Sequence, residues 1–89
     1  MSNLTRYGVP RSLAPFMQEY AIEEVDPERA SHTLIERTLR YGNRAEIRWL
    51  FQRYGEPAIA DWVRRWGSRA LPRPHLIFWR VVLDIDEAT

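Results

Sequence analysis

The chain has no cysteine, no lysine, only four glycines in 89 residues, and no apolar run long enough to cross a membrane. The absence of cysteine excludes disulfides, thiolate nucleophiles and cysteine-ligated metals. Between Met1 and Leu13 no apolar core is followed by small residues, so neither a secretory signal nor a membrane anchor is expected, and the reading is a cytoplasmic chain. Catalytic patterns are missing too. There is no HExxH, GxxxxGK or GxSxG, and the only histidines, His32 and His75, stand 43 residues apart. Glu23, Glu24, Asp26 and Glu28 lack the alternating oxygen ligands of a calcium loop and read as caps and solvated charge. No catalytic residue, cofactor or metal is expected.

What is present describes a packed globule. At 45% apolar residues, 12% aromatics and four tryptophans, the composition is far from the charged, apolar-poor disordered class. Its length holds one domain with one modest core, which makes association with a partner or a second copy a natural expectation. All thirteen basic residues are arginine, which codon bias explains more simply than selection for bidentate recognition. Their distribution is uneven. Glu19 to Glu28 holds five acids and no base, Arg37 to Arg73 nine arginines against three acids, and the tail, with Asp84, Asp86 and Glu87, is acidic again. The basic middle suits an acidic partner or a phosphate backbone, although arginines spread round helices give the same count.

Every glycine follows an arginine and an aromatic: Arg6-Tyr7-Gly8, Arg40-Tyr41-Gly42, Arg53-Tyr54-Gly55 and Arg65-Trp66-Gly67. A glycine past a helix closes its last turn in the left-handed conformation, and a cation there meets the negative end of the helix dipole. The last three triplets therefore predict helix stops, with Tyr41, Tyr54 and Trp66 as the last inward residues. The first follows no convincing helix and lies in an arm.

The spacing predicts an all-α, compact single domain of four to five short helices with a central helical hairpin. Residues 1–11 read as a flexible N-terminal arm, 12–85 as the helical domain and 86–89 as a C-terminal tail. Ser12 to Val25 predicts one short helix and a turn. Asp26-Pro27 opens a helix to Tyr41, with Ala30, Leu34, Ile35, Thr38 and Tyr41 inward. Asn43 caps the next helix in a box with Glu46, and Ile47, Leu50, Phe51 and Tyr54 form its stripe. Glu56-Pro57 starts a third, striped by Ile59, Trp62, Val63 and Trp66. Ser68 to Pro74 reads as a connection. The segment from Leu76 to Leu83 has strand-like composition but no partner strand in a helical chain, so it predicts a final helix, nearly buried all round, with Pro74 near its start. The competing picture pairs two such strands across a dimer.

Taken in order, Ile35-Glu36-Arg37, Tyr41-Gly42, Trp49-Leu50-Phe51, Tyr54-Gly55 and Phe78-Trp79 through Leu83 resemble a family of small uncharacterised prokaryotic all-helical domains, often associated with nucleotidyltransferase-type toxins of abortive-infection systems. The resemblance covers about Phe16 to Ile85. It implies an all-helical fold and an antitoxin-like or regulatory role, and brings no catalytic residues with it.

Two groups are candidates for contact. Trp49 lies about 200° round its helix from Ile47, near Glu46 and Arg53, and a large aromatic there needs a cover, from the first or final helix or from a partner. Arg64, Arg65, Arg69 and Arg73, interleaved with Trp62 and Trp66, suit an acidic protein surface. The same arginines on a helix-turn-helix made of the second and third helices would make a small DNA-binding regulator. Trp62 and Trp66 fit the core stripe, and Glu56 puts an acid at the turn, which favours protein over DNA. The expected function is a non-enzymatic protein–protein interaction module, an antitoxin-like regulator of a toxin. The alternatives are the DNA-binding regulator and a structural homodimer joined through the final apolar segment.

Overall fold

The computed structural model describes residues 3–85. Two 3-10 helices, at Arg11–Phe16 and Ile22–Glu24, precede four α-helices: α1 (Ser31–Tyr41), α2 (Arg44–Tyr54), α3 (Glu56–Ala70) and α4 (Arg73–Val82). Among the described residues the only β feature is an isolated antiparallel bridge between Leu4 and Pro10. The fold is all-α and forms a single domain. The expected tail, 86–89, lies outside the described residues, as do Met1 and Ser2.

Local chemistry explains most of the boundaries. The Asn43 side chain accepts from the Glu46 amide at 2.8 Å, and the Glu46 carboxylate accepts from the Asn43 amide at 2.8 Å, so α2 starts on the expected capping box. Gly55, at φ 87° and ψ 148°, joins α2 to α3 in a conformation that only glycine adopts without strain. Proline stands in the first turn of both α3 and α4. It supplies helical dihedrals where its missing N–H leaves no partner wanting.

Other boundaries depart from expectation. Asp26 builds a separate turn, accepting from the Glu28 amide at 2.9 Å through Oδ1 and from the Ala30 amide at 2.8 Å through its carbonyl. Ala30, at φ −102° and ψ 22°, leaves helical dihedrals, so α1 begins at Ser31. Gly42 ends α1 at φ −67° and ψ 147°, extended rather than left-handed, because the chain runs straight into the extended Asn43 cap. Gly67 is no stop at all. It is buried inside α3, which continues to Ala70, and the connection expected from Ser68 to Pro74 shrinks to Leu71 and Pro72.

The loose arm is also replaced by structure. Thr5 and Val9 close a tight loop through Thr5 N–H to Val9 O at 2.8 Å, and the Thr5 hydroxyl accepts from the Val9 amide at 3.2 Å. Val9 has no exposed surface and Thr5 is buried. Residues 3–10 therefore fold back as a strap, because Val9 finds apolar cover that compensates the ordering of a short segment.

Two clusters make the core. The larger joins the four helices through Ile35, Leu39, Leu50, Ile59, Val63, Leu76 and Trp79. The smaller, beneath the strap, contains Val9, Leu13, Met17, Val25 and Leu34. Trp49 packs against both. Because α1 contacts α2, α3, α4 and the first 3-10 helix, its buried stripe takes in Leu39. Tyr41, expected inward, is exposed and stacks on Phe16 with ring centroids 5.3 Å apart. Trp66 is likewise exposed rather than core, its ring edge-on to His32 at 5.2 Å.

Candidate interaction surface

The acidic stretch from Glu19 to Glu28 is taken up within the molecule. Arg6 pairs with Glu24 at 2.8 Å, Arg11 with Glu23 at 2.6 Å and Arg37 with Glu19 at 2.6 Å, while Arg53 lies 3.9 Å from Glu28. Arg37 also donates to the Phe16 carbonyl at 2.6 Å, fastening the first 3-10 helix to α1. Its two hydrogen bonds to Glu19 hold that carboxyl down at about 2. The Glu23 carboxyl is lowered in the same way by Arg11. Among the described residues no cluster of His, Asp and Glu is arranged to hold a metal ion.

The strap supplies part of the cover of Trp49. Its indole N–H donates to the Gly8 carbonyl at 2.8 Å, and its ring meets Tyr54 edge-on at 6.3 Å. Gly8, at φ 82°, turns the chain so that this carbonyl faces the indole. The otherwise unplaced Arg6-Tyr7-Gly8 triplet is thus the tip of the strap. Arg53, one turn beyond Trp49 on α2, lies over the Tyr54 ring at 5.2 Å. Burial pushes the Tyr54 hydroxyl up to about 12, and it donates to the Pro27 carbonyl at 2.6 Å.

The arginine cluster is only partly brought together. Arg64, Arg65 and Arg69 are all exposed on α3, and Arg73 opens α4. Arg65 and Arg69 share one stripe, whereas Arg64 projects about 100° round the helix from Arg65. Arg65 pairs with Asp61 at 3.1 Å, in a geometry so exposed that it contributes little to stability. Among the described residues Arg64, Arg69 and Arg73 have no ion-pair partner. On α3, Trp62 is core, its indole donating to His32 Nδ1 at 2.8 Å.

A larger feature is the outer face of α4. The helix forms as expected, but only Leu76 and Trp79 within it are buried. Ile77, Phe78 and Val82 are each about half exposed, and Val81 at 75% stands at the centre of the outward face. The expectation of burial all round fails because α4 packs along one side only, on α3, α1 and Phe51 of α2, while among the described residues Ile77, Phe78, Val81 and Val82 stay exposed on the other. Sequence reasoning missed these residues by taking an apolar perimeter as a sign of insertion. The same perimeter equally marks one face for the core and one for contact.

The sequence model of a family of unknown function, DUF6922, matches residues 14–63. The chain belongs to that family. The match runs from the first 3-10 helix through α1 and α2 into α3, so it includes Trp49 and Arg53 and ends one residue before Arg64. The outer face of α4 lies outside the matched stretch. No curated protein and no solved structure matches the chain. No helix among the described residues is long and apolar enough to cross a membrane.

Proposed function

We propose that this chain is a non-enzymatic protein–protein contact module, and that its specific form is an antitoxin-like regulator of a protein toxin. The observation that supports it is the outer face of α4, where Ile77, Phe78, Val81 and Val82 form a contiguous apolar surface on a small helical domain. Large apolar side chains grouped on one exposed helix face are characteristic of helix-mediated protein contacts. Arg69 near the end of α3 and Arg73 at the start of α4, without acidic partners among the described residues, suit an acidic rim on the partner. Arg64 and Arg65 extend the basic surface, while Trp49 and Arg53 act indirectly by holding the strap and α2 in place.

Affinity capture of the full chain from its native cells, comparing wild type with Val81→Lys and with Arg69→Ala/Arg73→Ala, tests this reading. A protein retained by the wild type and lost from the variants supports it; capture of one protein equally by all three overturns it. The DNA-binding alternative draws on the same exposed arginines. It requires retention on duplex DNA that falls steeply with salt and disappears in Arg64→Ala/Arg65→Ala. The divergence of Arg64 from Arg65 and the burial of Trp62 argue against a groove-reading surface on α3.

A further inference from the structure

One charge at each end of α4 has the wrong sign for its own helix, although Arg80 in the last turn has the right one. Arg73 occupies its first position, at the positive end of the dipole, and Asp84 lies just past Leu83 at the negative end. No acid occupies the first turn to offset this. Both residues are exposed, and among the described residues neither has an ion-pair partner. Between them lies the apolar face, with Ile77 and Val81 one turn apart on the Arg73 stripe. At about 1.5 Å per residue, Arg73 stands about 9 Å to one side of Trp79, and Asp84, two residues past the last helical residue, lies beyond the other end.

This arrangement reads the same when the helix is reversed. We propose that the occupant of the outer face of α4 is α4 of a second copy of this chain, packed antiparallel about a twofold axis level with Trp79. The proposal rests on the reading of that face as a protein-contact surface, which the second copy and a partner protein would occupy in turn. In the dimer Ile77 of each copy meets Val81 of the other, as a self-complementary patch requires. Each Arg73 reaches the negative end of the opposite helix and its Asp84, and each Asp84 reaches a positive end. Both misplaced charges are then relieved together. The formal net charge of +1 imposes little repulsion between copies. One face of a ten-residue helix is smaller than the roughly 800 Å² per partner of a standard interface, so the dimer is a concentration-dependent equilibrium.

Sedimentation equilibrium of the full chain up to about 1 mM tests this. Wild type should pass from monomer to dimer, and Val81→Lys, which places a cation favourably in the last helical turn, should remain monomeric with unchanged circular dichroism. Arg73→Glu should weaken the dimer about tenfold or more, although the change suits the isolated helix. Arg73→Glu combined with Asp84→Arg should restore dimerisation to within about threefold of wild type. A dimer that survives Val81→Lys overturns the assignment to α4, and a failure of the double reversal to restore it overturns the antiparallel register. A wild type that stays monomeric throughout overturns the second copy as occupant. If Val81→Lys nevertheless abolishes capture of another protein, the contact reading of the face stands; if it does not, both fall.

Discussion

Gly67 and Leu76 are pressed together where α3 meets α4: a Cβ on Gly67 would lie 2.8 Å from Leu76 Cδ1 and 3.2 Å from Val63 Cγ1. The glycine is a notch that lets α4 approach, despite a cost of about 1 kcal/mol against alanine in a helix interior. In Gly67→Ala the gain in helix propensity opposes a shift of the Leu76 methyl, so the net change should stay within about 1 kcal/mol. Gly67→Val adds branching that the notch cannot take and should destabilise by about 2–3 kcal/mol. Denaturant unfolding of both variants checks the difference; equal stability would show that the two helices are not in close contact there.

Gly55 differs in kind, since a Cβ there would make only an ordinary contact, 3.8 Å from Pro57 Cδ, and only its backbone is unusual. Gly55→Ala should therefore cost about 1–3 kcal/mol through strain at the α2–α3 joint alone. Thermal unfolding would measure it. A neutral outcome would mean that the joint relaxes to negative φ.

Trp49→Phe keeps an aromatic ring but loses the bond to Gly8, and should cost about 1 kcal/mol. Trp49→Ala should cost about 3 kcal/mol and release the strap. Amide exchange at Thr5 N–H, which bonds Val9 O in the wild type, is the direct readout. Unchanged protection in Trp49→Ala would show that the strap is held by other contacts.

Two titrating groups link stability to pH at its extremes. The Tyr54 pKa is raised to about 12, above its ordinary 10.0, so its contribution is complete below pH 10 and is lost as pH rises towards 12. Phenolate ultraviolet absorbance should show one tyrosine ionising about two units late, and Tyr54→Phe should remove that step. Glu19 has a lowered pKa, so its pairing with Arg37 is complete above pH 4.5 and is lost as pH falls towards 2. Glu19→Gln should flatten that acid limb only slightly, because the carboxylate is in water.

Much of the fold was legible because capping and stripe signals are local. Asn43 with Glu46, Pro57 and Pro74 marked helix starts, and Leu50, Ile59 and Val63 marked the core, by chemistry within one or two turns. What was not legible depends on distant partners. Gly67 reads as a stop until Leu76 is seen against it, and Val9 reads as arm until the hollow beneath it is known. Of the candidate site, the exposure of Arg64, Arg65, Arg69 and Arg73 was foreseeable, whereas the strap over Trp49 and the open side of α4 come from tertiary placement.

The position of Trp49 against both core clusters has a consequence for unfolding. A strap and a helical bundle with separate cores could melt in sequence, but a single indole that belongs to both leaves no seam along which they part. Heat should therefore carry the domain through one calorimetric transition. Any ligand that peels the strap away would loosen the bundle with it, so Trp49 converts local grip on residues 3–10 into global stability.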